Sequence, residues 1–313
     1  MYHFIVNIHG GSGKAFVQWN KIRAMLKERG VEYVTHVPQR PGHASQIAAR
    51  IAGEGDGDVN LVILGGDGTI NEVLNGIPQD KLCRFRLGLI PTGSGNDFSR
   101  GLGLPRHNPR KALDIVLSSD GSRRIDLGVV ESDDPGARFP RRLFGISAGF
   151  GLDALVGTSI NKSKIKVVLN RLRMGKLSYA LLTIKSLFSL KTYDVSVSFD
   201  GGDPIEFRRV IFCAAMNFRA EGGGVPMAPD ARGDDGKLSV CLVSGVPKFL
   251  TFFMFPVLLL GKQRIFKSFY FRDFESMRLV SSTPAIVATD GESFGFVRNV
   301  RYTVIKGAVR VLI

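Results

Sequence analysis

The sequence is short of several things, and each shortage narrows what the chain can be. It holds 3 cysteines, Cys83, Cys213 and Cys241, far apart along the chain. With no CxxC pair and no His–Cys cluster, the usual structural zinc patterns are excluded. Cys213 and Cys241 lie inside apolar, strand-like runs and are expected as buried thiols. An odd, unpaired count fits a reducing cytoplasm. No apolar run reaches the roughly 20 residues a membrane-spanning helix needs. The nearest, residues 249–260, is shorter and contains Pro256. No basic segment precedes a long apolar one near Met1, so no signal peptide is expected. Internal repeats and low-complexity tracts are also absent.

Negative charge is scarce. The net charge is +14, with 42 Lys and Arg against 28 Asp and Glu. Such a balance favours polyanionic partners: nucleic acid, an anionic membrane or a phosphate-rich substrate. The deficit is sharpest between Asp153 and Asp194, where no acidic residue occurs. Lys162, Lys164, Lys166, Arg171, Arg173 and Lys176 lie there among Ile165, Val167, Val168, Leu169, Leu172 and Leu177. Cations interleaved with aliphatics suit an interfacial helix on an anionic leaflet better than a nucleic-acid surface, because residues 162–177 hold no aromatic and Tyr179 stands only at their edge. A solvated helix face is the plainer alternative. Residues 249–260 are a second candidate for membrane contact, against a buried helix or strand.

What is present is an ordinary globular composition, 44% hydrophobic and 22% charged over 313 residues, enough for two domains. Residues 2–8, 31–37, 59–64 and 87–90 read as strands, and 15–29, 44–52 and 69–74 as helices. The continuous apolar runs at 59–64 and 87–90 are those of buried parallel strands. This alternation predicts a Rossmann-like α/β nucleotide-binding domain over residues 1–124. After that the chain changes to short alternating runs at 125–130, 142–146, 193–199, 210–215, 238–243, 277–280 and 300–305. They are separated by Gly, Asp and Pro turns, the pattern of an antiparallel β-sandwich over residues 125–313. Helical interruptions are expected at 163–190 and 249–260.

Two turns carry chemistry. Gly65-Gly66-Asp67-Gly68-Thr69-Ile70-Asn71-Glu72 joins a buried strand to a helix. Ligands bind at the carboxyl ends of strands in open α/β sheets, and glycines let backbone N–H groups approach a phosphate. Asp67 would repel bare phosphate, so a bridging divalent cation is implied. Thr92-Gly93-Ser94-Gly95-Asn96-Asp97-Phe98 repeats the arrangement after the next strand, although Asp97 also suits a helix N-terminus. A plain structural turn explains either segment alone; the pair reads as one cradle for phosphate and metal. A third turn, Gly10-Gly11-Ser12-Gly13-Lys14, is not a P-loop: Ile8 stands where the first Gly belongs and Ala15 where Ser or Thr belongs. Lys14 still suits phosphate neutralisation.

The run GGDGTINEVLNG followed by PTGSGNDFSRGLG resembles the diacylglycerol kinase catalytic-domain family, in particular its bacterial-type soluble lipid kinases. Ile125-Asp126-Leu127-Gly128, Ser147-Ala148-Gly149-Phe150-Gly151, Asp234-Asp235-Gly236-Lys237-Leu238 and Asp290-Gly291-Glu292 extend the resemblance over nearly the whole chain. The resemblance implies that Gly65, Gly66, Asp67, Gly68, Thr69, Ile70 and Asn71 bind ATP phosphates, helped by Ser94, where relatives usually carry Thr. It implies that Asp67, Asp97 and Asp126 organise magnesium and water there. Glu292, with Asp290 beside it, matches the catalytic acid/base position. Asp235, with backbone carbonyls near Arg232 and Lys237, matches a structural metal site. One departure stands out: Gly42-His43-Ala44 is present, but Pro38 occupies the place of a nucleotide-lining Thr, and Thr35 lies too early.

The resemblance therefore implies an ATP- and Mg2+-dependent kinase acting on diacylglycerol or a related lipid, with its site in the cleft between the domains. It would be cytoplasmic and peripheral to the inner face of the membrane, with no nucleic-acid partner. A homodimer stays open. Without the other motifs, Asp290-Gly291 reads as a hairpin turn. The alternatives are an NAD kinase-like phosphotransferase and a non-catalytic lipid- or nucleotide-binding protein.

Overall fold

A computed structural model describes residues 1–8, 14–118, 121–152, 154 and 191–313. The glycine turn after the first strand, the Lys14 side chain and the basic segment at 162–176 lie outside the described residues. Internal contacts divide the chain elsewhere than after residue 124. Met1–Asp126 joins with Gly307–Ile313 in one unit, and Leu127–Lys306 forms the other. The chain therefore crosses between units twice.

The first unit contains β1 (Tyr2–Val6), α1 (Lys14–Glu28), β2 (Tyr33–His36), α2 (His43–Gly53), β3 (Val59–Gly65), α3 (Asp67–Gly76), β4 (Phe85–Pro91), α4 (Asp97–Gly101) and α5 (Pro109–Ser118). The strands run parallel in the order β4-β3-β1-β2. Both faces of β3 are covered from Leu61 onward, which is why residues 61–64 read as an unbroken apolar run. Val62 and Leu64 pack with Phe4, Val6, Leu113 and Val116. Helix α1 reaches the same core through Trp19, Ile22 and Leu26, spaced three and four apart.

Glycines set how closely the helices approach. At Gly88 a Cβ would lie 2.8 Å from Val116 Cγ2, so α5 sits directly on β4. At Gly76, the last residue of α3, it would lie 2.2 Å from the Ser45 carbonyl oxygen of α2. Gly76→Ala must push the two helices apart. It is expected to cost about 1–3 kcal/mol, a melting temperature lower by about 2–8 °C. Gly53→Ala, where nothing lies within 4 Å of the added carbon, is the control in the same thermal scan and should cost nothing.

The second unit follows β5 (Ser122–Glu131), which spans the first crossing. It contains β6 (Arg141–Phe144), β7 (Ser147–Gly151), β8 (Tyr193–Phe199), β9 (Ile205–Val210), β10 (Phe212–Met216), β11 (Leu238–Val243), α6 (Lys248–Leu259), β12 (Phe269–Phe274), β13 (Ser276–Thr289) and β14 (Glu292–Leu312). The order is β12-β11-β10-β7-β13-β14, with β8 attached to β13, β9 to β8 and β6 to β5. Pairing is antiparallel at β10–β11, β10–β7, β13–β14 and β13–β8. Tyr193, Val195, Val197 and Phe199 alternate inward from β8 onto the sandwich core, where Cys213 and Ala215 of β10 also lie. The other face of β10, Phe212, Ala214 and Met216, is covered by Met227, Ala228, Ala231 and Leu258. Cys213 and Cys241 are buried, Cys83 is exposed, and no disulfide joins them.

β14 runs on past residue 305, where the sequence pattern ended. Beyond Lys306 it enters the first unit and lies parallel to β4, Arg310 beside Arg86 and Val311 beside Leu87. Val309, Val311 and Leu312 are buried, and Arg310 reaches Asp58 at 2.6 Å.

Candidate active site

The two glycine turns of the first unit follow adjacent strands that end in register, with Gly65 opposite Pro91. The Thr92 N–H donates to the Gly65 carbonyl at 2.9 Å. The turns then touch backbone to backbone. A Cβ on Gly66 would meet Gly93 Cα at 2.9 Å, and one on Gly93 would meet Gly66 Cα at 2.7 Å and Asn96 Oδ1 at 2.8 Å. Side chains cannot enter this contact, so both glycines are required by space alone. Asn96 is held left-handed at φ 52° and donates through Nδ2 to the Gly93 carbonyl at 3.0 Å.

Asp67 ties the turns together. Its Oδ2 accepts from the Asp97 N–H at 3.0 Å and its Oδ1 from the Phe98 N–H at 3.2 Å, capping the first turn of α4 from another segment. Asp97 is buried and forms an ion pair with Arg100, whose Nη2 donates to the Gly95 carbonyl at 3.3 Å. Burial first, and Arg106 second, push the Arg100 guanidinium below its ordinary pKa, while Asp67 pulls it back up. Arg100 was not singled out from sequence; its place three residues after Asp97 is the signal. Asp126 is buried, and its Oδ1 accepts from the Gly307 N–H at 2.6 Å, pinning the two chain crossings to each other.

These engagements test the expected ligands. Gly68 and Ser94 are exposed, and Gly66, Asp67, Gly93 and Gly95 are half-buried, as an open cradle requires. Thr92 Oγ1 is buried with no hydrogen-bond partner among the described residues. A phosphate chain fits this cradle, made of backbone at the start of two helices. Thr69, Ile70 and Asn71 are buried within the fold. Thr69 Oγ1 accepts from Asn7 Nδ2 at 2.9 Å, and the Thr69 and Ile70 N–H groups donate to Gly66. Asp67, Asp97 and Asp126 are not gathered into a direct metal-ligand set; no group of three His, Cys, Asp or Glu suited to one occurs among the described residues. Mg2+ commonly keeps several waters, and that is the form these occupied carboxylates suit.

Glu72, in the same motif, also turns out to be structural: its Oε2 accepts from the Ala44 N–H at 3.2 Å at the start of α2. Gly42 is the left-handed residue before that helix, His43 Nδ1 accepts from Gln39 N–H at 3.0 Å, and Pro38 is buried.

In the second unit, Asp290 and Gly291 form the two-residue turn between β13 and β14, with φ 48° and 81° and Thr289 opposite Glu292. Positive φ at both positions is the primed hairpin turn that Asp-Gly favours. The two acids, expected as a catalytic pair, part company here. Asp290 Oδ2 accepts from the Gly145 N–H at 2.8 Å, and Oδ1 from the N–H groups of Ile146 at 2.8 Å and Ser147 at 3.1 Å. A carboxylate that accepts from three backbone donors anchors that loop. Glu292 is exposed.

The segment that Asp290 holds is gripped from its other side as well. Asn217 Nδ2 donates to the Gly145 carbonyl at 2.9 Å, and Ser147 Oγ donates to buried Glu221. Glu221 went unnoticed in the sequence, although it opens the turn Gly222-Gly223-Gly224, where all three φ angles are positive. Farther on, Asp235 is exposed and its Oδ1 accepts from the Lys237 N–H at 3.1 Å, while Arg232 pairs with Asp234 at 3.6 Å. This one turn brings together Arg232, Asp235 and Lys237.

Comparison with known proteins agrees with both units. The family model of the diacylglycerol kinase catalytic domain matches residues 1–130, and that of the YegS C-terminal NAD kinase beta sandwich-like domain matches residues 146–313. A diacylglycerol kinase of Mycobacterium tuberculosis (strain ATCC 25618 / H37Rv) is 30% identical over 258 residues, 82% of this chain and 77% of that protein. The diacylglycerol kinase of Bacillus subtilis (strain 168) is 34% identical over 219 residues, 70% of this chain and 65% of that one. Two solved Bacillus anthracis str. Sterne structures share the fold over 99% of this chain and 96% of their own. One, provisionally named a diacylglycerol kinase, has TM-score 0.78 at 23% identity; the other, named a diacylglycerol kinase, has TM-score 0.68 at 18%. With a matching family model on each unit and relatives at this identity over most of its length, the chain belongs to the diacylglycerol kinase family, a family of lipid kinases.

Proposed function

We propose that the protein transfers the γ-phosphoryl group of ATP to the hydroxyl of diacylglycerol or a related lipid alcohol. The observation that carries this reading is the contact between the turns, where Gly66 and Gly93 leave no room for a side chain. Backbone N–H groups presented at two helix starts are what a triphosphate needs. The acceptor is taken from the names of the relatives, and the apolar surfaces of the chain agree with a lipid.

In this mechanism Gly66, Gly68, Gly93 and Gly95 hold the phosphates and the Ser94 hydroxyl donates to them. Asp67 positions the second turn by holding the N–H groups of Asp97 and Phe98. Magnesium, when bound with the nucleotide, would supply charge neutralisation at the phosphates, and Asp67, Asp97 and Asp126 are the residues that would hold it. Glu292 takes the proton of the acceptor hydroxyl. The hydroxyl oxygen bonds to the γ-phosphorus, the bond to the β–γ bridging oxygen breaks, and ADP leaves. Asp290 keeps the loop at residues 145–147 in place beside Glu292. A second, structural cation is assigned to Asp235 with the carbonyls of Arg232 and Lys237. The enzyme would work in the cytoplasm against the inner face of the membrane; no helix among the described residues is long and apolar enough to cross one.

The test is transfer of label from γ-labelled ATP with magnesium to mixed-micelle diacylglycerol, other lipid alcohols and NAD in parallel. Labelled phosphatidic acid or another labelled phospholipid is the expected product. Labelled NADP, or no product with any acceptor, overturns the reading.

A further inference from the structure

Helix α6 is apolar on two sides. Met254 and Leu258 are buried, and Leu258 packs into the core with Met227 and Ala231. Leu250, Phe253 and Leu260 follow one another at helical spacing and remain exposed, Phe253 by 68% and Leu260 by 70%. A surface helix in water turns a polar face outward, yet residues 249–260 contain no charged side chain. The exposed strip continues through tight turns. The Gly261 N–H donates to the Leu258 carbonyl at 3.0 Å and the Lys262 N–H to the Val257 carbonyl at 3.1 Å. Ile265 follows, 70% exposed.

The charge beside this strip has one sign. From residue 236 to residue 272 there is no Asp or Glu. Lys262, Arg264 and Lys267 are exposed within that stretch. Arg264 also lies over the Phe271 ring, 4.8 Å from its centre, and pairs with Asp230. The positive end of this segment lies at the C-terminus of α6, where the helix dipole favours cations. The dipole does not explain why the helix leaves apolar side chains in water.

We infer that the exposed strip of α6, with the basic turn after it, is a docking surface for an anionic lipid bilayer. Apolar side chains that reach the acyl boundary, flanked by cations at headgroup level, are the arrangement such a surface needs. A second copy of the chain is the poorer occupant. Two such faces would set cations against cations, in a protein of net charge +14. The helix has 12 residues, about 18 Å, so it lies on the bilayer rather than through it. The surface is independent of phosphoryl transfer, and its test needs no nucleotide.

Flotation with vesicles of phosphatidylglycerol and phosphatidylcholine, against phosphatidylcholine alone, reads the interaction. The protein is expected on the anionic vesicles, less so at high salt. The F253S/L260S variant should partition about tenfold less or weaker still, with an unchanged melting temperature. K262Q/K267Q should lose binding to the anionic vesicles. In Phe253→Trp, the new indole should be quenched by brominated lipid, over a background from the buried Trp19. Unchanged partitioning of F253S/L260S overturns the proposal, as does a dimer that this variant dissociates while vesicle binding persists. Should that variant fail to fold, Phe253→Trp decides: no quenching overturns it.

Discussion

Glu292→Gln is expected to slow phosphoryl transfer about 100-fold or more, while ATP affinity and melting temperature stay at their original values. The side chain is exposed, so its loss as a base should cost the fold almost nothing. Asp290→Ala should behave in the opposite way. It strips the acceptor from the buried N–H groups of Gly145, Ile146 and Ser147. At about 1–3 kcal/mol for each orphaned donor, the melting temperature should fall markedly, and activity with it. Asp290→Asn keeps one carbonyl oxygen and tolerates positive φ, so it should lie between. Thermal melts beside single-turnover rates separate the two roles. An unimpaired Glu292→Gln removes Glu292 as base. A slow Asp290→Asn with an undisturbed melt would return that role to Asp290.

Asp67→Ala should reduce turnover to background and also lower the melting temperature. The carboxylate spans 30 residues of chain to reach the first turn of α4, and both its oxygens are used there. Its removal leaves Asp97 and Phe98 without their acceptor and exposes the Asp97–Arg100 pair to rearrangement. The second turn then loses its register against the first, and the phosphates lose half of their cradle. Asp67→Asn, able to accept one of the two bonds, should recover part of the melting temperature and less of the rate. Near-normal turnover in Asp67→Ala would sink the role given to both turns. Calorimetric titration with a non-hydrolysable ATP analogue locates the loss in binding or in transfer.

The parts legible in the sequence were those whose cause is local. Residues 61–64 of β3 and 87–90 of β4 are apolar without interruption because both faces of the strands are covered there. The turns after them need glycine because backbone meets backbone there. The rest depended on distant partners. β7, Ser147–Gly151, is built, apart from Phe150, of small residues with little strand propensity; it is a strand because β10 and β13 flank it. Glu221 acquires its role through Ser147, 74 residues away. Asp290 and Glu292, adjoining the same glycine, looked interchangeable until hydrogen bonds separated an anchor from an exposed carboxylate. The metal role of Asp67, Asp97 and Asp126 is what the family resemblance implies; their neighbours in space give each a partner within the protein.

The return of Gly307–Ile313 to the first unit has a consequence for how the protein is made. Ribosomes deliver the chain from its start, and a domain whose residues are contiguous can finish folding as it emerges. Here the strand that pairs with β4 leaves the ribosome after all of Leu127–Lys306. Until then β4 keeps an open edge, and Arg86 and Leu87 lack the strand partners that Arg310 and Val311 become. The first unit is thus begun first and completed last. A nascent or truncated chain stopped near Asp126 carries an unpaired parallel edge, the kind of surface that aggregates or recruits chaperones.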